Sequence, residues 1–308
     1  MLVQRQPKKS MKKATGTAII AALTFWISHV GVSKADTRTD VDVVFGVLAG
    51  MSLAMDVYYP EQPLRRGILF VPGSAWDGRE RGYTDYQLKN GYAYVNALRD
   101  SLVNAGFTVF VPNTRMSPEH QFPAPVDDIR RAVRFIRHNA DKFNIESTPI
   151  GAVGHSTGGY LAAMAGVLDD DPERHASAQP VERESSRVQA VVTIASPHDL
   201  TVNSTLLWMF TVQYLGERPP MNATWSDYKR EGIYADASSV THVTPGDAAF
   251  MLLHGTGDPN VPFRQISIMS EAVREAGLEL EVVEIDSDSH DPPVDHDQIA
   301  GWLIGQLK

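Results

Sequence analysis

The sequence predicts an α/β protein in which a mostly parallel sheet carries helices on both faces. One observation is that short strand-like runs alternate with helix-like runs along most of the 308 residues. Another is that strand-like runs such as 67–71 are apolar throughout, which is typical of a strand covered on both faces of its sheet. Together these patterns favour parallel strands joined by helical crossovers.

About eight runs have the composition of strands. The first two, 41–45 and 53–59, are expected to pair antiparallel, because Leu53, Met55 and Val57 alternate with small or polar residues. The other strand-like runs cover 67–71, 107–111, 150–153, 188–195, 250–253 and 279–285. The helix-like runs cover 92–104, 126–136, 158–168, 263–276 and 299–307, with Gly106 and Gly277 as stops.

Two stretches do not fit this alternation. Residues 169–186 are polar and charged and are predicted to form a surface loop. Residues 201–239 lie between two strand-like runs and include Trp208, Phe210 and Tyr214. An insertion so rich in large apolar side chains is expected to form a small lid over a pocket.

Residues 1–35 are expected to form a secretory signal peptide. They carry six basic residues and no acidic residue, and an apolar run at 18–32 is followed by Ser33-Lys34-Ala35. The run is shorter than the about 20 residues of a membrane span, so an uncleaved anchor is the lesser alternative. We therefore expect a secreted or periplasmic domain at 36–308 with no stable membrane span after cleavage.

Composition excludes several classes of chemistry and of partner. The sequence contains no cysteine, which excludes disulfides, thiolate metal sites and thiol nucleophiles. It has 28 basic and 37 acidic residues, and without the six basic residues of 1–35 the net charge is −15. A surface of that charge repels a polyanion, so nucleic acid is not an expected partner.

Ser156 is the first candidate for chemistry. It lies in Gly154-His155-Ser156-Thr157-Gly158, between a strand-like run and a helix-like run. This pattern is typical of a nucleophile elbow, a strained turn that exposes a serine and requires neighbours without side chains. The alternative is that Ser156 is an ordinary N-cap of the helix. A nucleophilic serine needs a base and a group that orients the base.

Two later loops supply candidates for those groups. Asp258 follows the run 250–253 in a loop rich in glycine and proline, and His290 follows the run 279–285. Because parallel strands end at one edge of the sheet, both side chains are expected near Ser156. The order Ser, Asp, His along the chain suits such a site. Other residues of these types nearby, expected to be solvated or to cap a helix, are Asp286, Asp288 and His296.

An acyl oxyanion needs preorganised N–H donors, and one is expected from the backbone of Thr157. The other is expected from the loop 71–76, Val-Pro-Gly-Ser-Ala-Trp, whose small residues let the backbone approach a ligand. A simple turn is the alternative for this loop. Side chains expected to line a substrate pocket are Trp76, His155, Trp208, Phe210 and Tyr214. For the four other than His155, the alternative is that they form core under the lid.

With these residues placed, the chain resembles the α/β-hydrolase superfamily over roughly 40–300. Within it, the chain is similar to carboxylesterases and lipases related to hormone-sensitive lipase and to small esterases that include kynurenine formamidase. The stretches that carry the likeness are 55–60, 71–76, 114–129 and 243–262. The resemblance implies an α/β-hydrolase fold of about eight strands, a small lid and a triad of Ser156, Asp258 and His290.

The sequence departs from the family pattern in the oxyanion loop, where Pro72 and Ser74 replace a histidine and a second glycine. Backbone donors do not depend on those side chains, so the amides of Ser74 and Ala75 are carried over as oxyanion donors. Within 114–129, we expect a structural rather than catalytic ion pair between Arg115 and either Asp127 or Asp128.

The resemblance implies a serine hydrolase that cleaves a small-molecule or lipid-like carboxylic ester through an acyl-enzyme, without a metal or cofactor. His290 must be neutral to act as a base, so activity is expected to fall in acid. An amide hydrolase of formamidase or peptidase type is one alternative, since the same triad serves both reactions. A non-catalytic binding protein on the same fold is another.

Overall fold

Eight strands form one sheet within the residues that the computed structural model describes, which are 38–48, 50–77, 89, 92–202, 205–217 and 232–308. The strands are β1 (Thr39–Leu48), β2 (Met51–Tyr58), β3 (Gly67–Val71), β4 (Thr108–Pro112), β5 (Ile150–His155), β6 (Ala190–Ile194), β7 (Ala249–Gly255) and β8 (Leu280–Ile285). The signal peptide predicted at 1–35 lies outside the described residues, as do 203–204 and 218–231 of the predicted lid.

The pairing of the strands confirms the predicted, mostly parallel sheet. Their order across the sheet is β1-β2-β4-β3-β5-β6-β7-β8. The predicted antiparallel opening pair is present, with Val43 opposite Met55, and β2 also runs antiparallel to β4. Every other neighbouring pair is parallel. The loops that follow β3, β5, β7 and β8 therefore lie at the same edge of the sheet.

Helices cover both faces of the sheet. Those described are α1 (Ala93–Asn104), α2 (Ala124–His138), α3 (Thr157–Val167), α4 (Thr205–Leu215), α5 (Ile233–Asp236), α6 (Arg264–Glu275) and α7 (His296–Gln306). Along β3, Ile68 and Phe70 pack in the core shared with α1 and α7, whereas Leu69 and Val71 pack in the core shared with α2, α3 and α6. This alternation is the period of two that places successive strand residues on opposite faces.

Several elements differ from the predicted bounds, and β5 and the stretch 169–186 are two examples. β5 continues beyond 153, because Gly154 and His155 remain paired with Thr193 and Ile194 of β6. The polar stretch 169–186 contains two short 3₁₀ helices, Arg174–Ala176 and Pro180–Arg183. Within the described ranges, no helix is long and apolar enough to cross a membrane.

The expected ion pair forms between Arg115 and Asp128. Nε and Nη2 of Arg115 lie 3.0 and 2.8 Å from Oδ1 of Asp128, and the backbone N–H of Arg115 donates to Oδ2 at 2.7 Å. The Asp128 side chain is completely buried, whereas Asp127 is exposed. The pair connects the loop after β4 to α2.

Candidate active site

Ser156 lies at the sharp turn between β5 and α3. Its backbone has φ 54° and ψ −129°, a strained conformation for a residue with a side chain. A Cβ on Gly154 would lie 2.3 Å from the carbonyl oxygen of Gly158, and a Cβ on Gly158 would lie 2.1 Å from that of Val71. The flanking glycines are therefore required by close backbone contacts, as the sequence pattern predicts.

The side chains of Ser156, His290 and Asp258 form one hydrogen-bonded line. Nε2 of His290 lies 2.9 Å from Oγ of Ser156, and its Nδ1 lies 2.8 Å from Oδ2 of Asp258. Within the described structure, the Ser156 side chain makes no helix-capping hydrogen bond, so the N-cap alternative does not describe its contacts. Through such a line, an imidazole can take the proton of a serine hydroxyl.

The other candidate base and acids lie elsewhere. His296 is the first residue of α7, next to the N-cap residue Asp295, whose carboxylate accepts backbone amides of that helix. Asp286 and Asp288 are exposed to solvent. Their positions match the solvated and helix-terminal roles expected from the sequence.

Asp258 is held as a buried carboxylate at the end of β7. Its Oδ1 accepts the backbone N–H groups of Asn260 at 2.8 Å and Val261 at 3.1 Å, which turns Oδ2 toward His290. His254 Nε2 lies 3.4 Å from the same Oδ2. Burial by itself raises the pKa of Asp258, but hydrogen bonds from His254, His290 and the Val261 amide outweigh it and hold that pKa well below its ordinary value. Asp258 is therefore ionised at neutral pH.

A pocket lies beside Ser156, and two of the segments predicted to donate hydrogen bonds to an oxyanion line it. Thr157 is the first residue of α3, so its N–H has no acceptor within the helix and lies at the positive end of the helix dipole. Ala75, from the loop after β3, lines the same pocket. These are two of the three positions predicted to supply oxyanion donors.

Ser74 differs from the prediction. Its backbone N–H donates to Oγ1 of Thr157 at 3.0 Å, and the side chains of both residues are buried. Because a backbone amide has one hydrogen, the Ser74 amide is already engaged and is not directed at the pocket. Ser74 instead joins the loop after β3 to the first turn of α3.

Of the five predicted pocket residues, only Phe210 lines the described pocket. Its other walls come from Ala75, Ser156, Thr157, Leu207, Asn260, Val261 and His290. Trp76 stacks on Tyr214 within the buried core, with 4.5 Å between the ring centroids. Trp208 stacks on Tyr234, with 6.2 Å between the ring centroids. His155 is 2% exposed and lies behind His290. These four side chains do not line the pocket, because they pack against other rings. For Trp76, Trp208 and Tyr214, this is the alternative of core packing that the sequence left open.

Several residues around the site were not predicted. Asn260 and Val261 line the pocket, and their place just after Asp258 at the end of a strand was an available signal. Leu207 also lines it, from a helix within the predicted lid. His254 contacts Asp258 from within β7, and its burial there depends on the tertiary structure.

Within the described ranges, no cluster of three or more histidine or acidic side chains is arranged to hold a metal ion.

Comparisons with known proteins identify the family of the chain. Residues 55–273 match the model of the BD-FAE family. Esterase LipC and Esterase LipQ of Mycobacterium tuberculosis are each 30% identical to the chain, over 207 and 211 residues, which cover 67% and 68% of this chain but 48% and 46% of the relatives. The chain thus spans about half the length of the curated relatives it matches.

A solved structure supports the same assignment of the fold. A truncated form of a carbohydrate esterase from gut microbiota superposes with a TM-score of 0.71 at 24% identity, covering 88% of this chain and 96% of that one. The predicted resemblance to esterases related to hormone-sensitive lipase is confirmed. The chain belongs to the BD-FAE family, within the hormone-sensitive-lipase-like branch of the α/β-hydrolase superfamily.

Proposed function

We propose that this chain is a serine hydrolase that cleaves carboxylic esters through an acyl-enzyme. The observation that carries the proposal is the hydrogen-bonded line of Ser156, His290 and Asp258, with distances of 2.9 and 2.8 Å, at the wall of a pocket. The esterase names of the relatives support the same class of reaction.

In the acylation step, Oγ of Ser156 attacks the carbonyl carbon of the ester while Nε2 of His290 takes the hydroxyl proton. The bond between the carbonyl carbon and the alcohol oxygen then breaks, and the imidazolium gives its proton to the departing alcohol. Water attacks the acyl-enzyme by the same route and releases the carboxylic acid and free Ser156. The ionised Asp258 orients His290 through Nδ1 and stabilises its positive charge.

The tetrahedral intermediate carries its negative charge on the former carbonyl oxygen. The backbone N–H groups of Thr157 and Ala75 are the proposed donors to this oxygen, since both residues border the pocket beside Ser156. The helix dipole of α3 adds to the stabilisation. The hydrogen bond from Ser74 to Thr157 keeps the Ala75 segment next to α3.

Leu207, Phe210 and Val261 make part of the pocket apolar, which favours a small or lipid-like ester as the substrate. Two of these side chains come from α4, and this supports the role of 201–239 as a lid. The composition of 1–35 supports secretion or a periplasmic location, with 36–308 as the hydrolase domain.

The test compares Ser156→Ala with the parent protein on p-nitrophenyl esters of increasing acyl length. We expect kcat to fall by at least about 10⁴-fold, because the nucleophile is lost while binding and the oxyanion donors remain. A control variant, Ser52→Ala, changes an exposed serine of β2 and is expected to keep the parental rate.

Three outcomes would count against the proposal. Hydrolysis by Ser156→Ala at the parental rate would refute the nucleophile. Faster turnover of N-formylkynurenine than of any aryl ester would favour an amide hydrolase. Failure of a fluorophosphonate probe to label Ser156 in the folded protein would favour a binding protein.

A further inference from the structure

A buried polar cluster lies directly behind the loop that carries His290. Its centre is His155, the last residue of β5, which is 2% exposed. Nε2 of His155 lies 2.9 Å from the backbone carbonyl oxygen of His290, and its Nδ1 lies 2.9 Å from the hydroxyl of Tyr92. The same hydroxyl lies 2.9 Å from the carboxylate of Asp291. None of these contacts belongs to the proton transfer described above.

The chemistry of the partners determines which nitrogen of His155 carries the proton. The carbonyl of His290 can only accept a hydrogen bond, so Nε2 of His155 must be its donor. In a neutral imidazole, Nδ1 is then an acceptor, and the hydroxyl of Tyr92 is its donor. Tyr92 has one phenolic proton, which it shares between this nitrogen and the exposed carboxylate of Asp291.

The surroundings keep His155 neutral. Burial is the largest cause and the positive charge that His290 can acquire is the next, and together they lower the pKa of His155 to about 4. The opposing groups are the His290 carbonyl and the carboxylates of Asp291 and Asp258, which favour the charged form. The hydroxyl-bearing rings that face His155 are Tyr92 and Tyr94, and the Tyr94 ring lies 5.4 Å from it.

The loop between Ile285 and His296 is irregular, so contacts from neighbouring elements must hold His290 in place. We propose that His155 is a positioning residue for His290. Its Nε2–H holds the backbone carbonyl of His290, and Tyr92 fixes the tautomer that makes this possible. The inference rests on the proposed function, because the position it controls is that of His290 Nε2 relative to Oγ of Ser156.

The experiment measures kcat and KM of the full chain with p-nitrophenyl acetate. In His155→Leu, we expect kcat to fall by about 10- to 100-fold with KM within about twofold, since misplacing a reacting group by 1 Å costs about 100-fold. His155→Gln places an amide N–H near the position of Nε2 and is expected to recover most of the loss. Tyr59→Phe removes a hydroxyl that bonds Asp40, outside the proposed active site, and is the matched control.

Tyr92 is tested through a double-mutant cycle. Tyr92→Phe alone is expected to lower kcat by about 3- to 10-fold, because the tautomer is less firmly held. Combined with His155→Leu, it is expected to add no further loss, because Tyr92 acts through His155. A further loss of equal size in the double variant would overturn this part of the proposal.

A second measurement does not depend on activity. The ¹⁵N–¹H correlation spectrum of the histidine rings, assigned by comparison with His155→Gln, is expected to show His155 neutral and protonated at Nε2 at pH 6. A charged ring, or a ring protonated at Nδ1, would overturn the hydrogen-bond assignment whatever the activity of the variants.

The outcomes separate this inference from the proposed function. Parental kcat in His155→Leu, or equal losses in His155→Leu and His155→Gln, would overturn the positioning role while leaving the proposed function intact. Parental activity in Ser156→Ala would instead refute the proposed function, and the ring spectrum would still decide the state of His155.

Discussion

The hydroxyl of Thr157 accepts the backbone N–H of Ser74 at 3.0 Å. This contact joins the residue after Ser156 to a loop that is 83 positions away in the chain. It holds the segment containing Ala75 beside the first turn of α3, where Ala75 and Thr157 both line the pocket. The Thr157 side chain therefore supports the proposed oxyanion site without contacting the reacting atoms.

Replacing Thr157 with valine is expected to loosen that site. Valine keeps the shape of threonine but leaves the buried Ser74 amide without its acceptor. We expect kcat to fall by about 5- to 50-fold, less than the about 100- to 1000-fold cost of losing a donor outright, because the Ala75 amide is displaced rather than removed. Thr157→Ser retains the hydroxyl and is expected to keep most of the activity. Equal losses in both variants would show that the hydrogen bond does not matter.

A second set of contacts joins the same loop to α4. Nε2 of Gln213 lies 2.8 Å from Oδ2 of Asp77 and 3.3 Å from Oγ of Ser117, next to the stacked rings of Trp76 and Tyr214. In Gln213→Met, we expect kcat to fall by about 3- to 10-fold, because the loop that carries Ala75 is less firmly placed.

The control for this change is Gln298→Met, which alters an exposed residue of α7 that bonds Glu281. It is expected to keep the parental kcat in the same assay with p-nitrophenyl acetate. If both glutamine variants behaved alike, the link between α4 and the oxyanion loop would have no role in catalysis.

Two buried histidines make stability depend on pH. Burial lowers the pKa of His155 to about 4 and that of His198 to about 3. Below a pH of about 6.5 the unfolded chain binds protons at these positions that the folded chain does not, so acid favours unfolding. As the pH is lowered from about 6.5 to about 4.5, the free energy of unfolding is expected to fall by up to about 1.4 kcal/mol per pH unit for each histidine.

His198→Asn removes one of these titrating groups. It is expected to reduce the slope of the unfolding free energy against pH by up to about 1.4 kcal/mol per pH unit, whatever its effect on stability at neutral pH. Urea unfolding at several pH values measures it. Above about pH 7.5 the histidines no longer contribute to the slope of the unfolding free energy against pH in either protein, and this range provides an internal control. An unchanged slope in the variant would contradict a buried, neutral His198. The depressed pKa of Asp258 affects the free energy of unfolding only at lower pH. The stability that this carboxylate contributes is present above about pH 4 and is lost as the pH falls further.

The ion pair of Arg115 and Asp128 is expected to contribute strongly to stability when one partner is removed. Asp128→Asn leaves the Arg115 guanidinium, which is 17% exposed, without a carboxylate partner. Breaking such a buried pair costs about 3–5 kcal/mol of the free energy of unfolding. Asp127→Asn is the matched control, because Asp127 is exposed and adjacent, and a change of under about 0.5 kcal/mol is expected. Similar losses in the two variants would contradict the structural role of this pair.

Much of the fold was predictable because it depends on short-range patterns. The alternation of Leu53, Met55 and Val57 indicated a strand, and the face formed by Val126, Ile129, Val133 and Ile136 indicated α2; all of these side chains are buried. The end of β5 was not predictable in this way. Gly154 is a poor strand former, and it remains in the strand with His155 because β6 pairs with both residues.

The sequence by itself determined the elbow at Ser156 and the positions of Asp258 and His290 just after two strand-like runs, because glycine spacing and the order of runs along the chain are properties of the sequence. The tertiary structure alone decided that the Ser74 amide bonds Thr157, that Trp76 and Tyr214 stack in the core, and that His155 lies behind His290. Those contacts join residues far apart in the chain, and a side chain's direction there is set by its neighbours in space rather than by its neighbours in sequence.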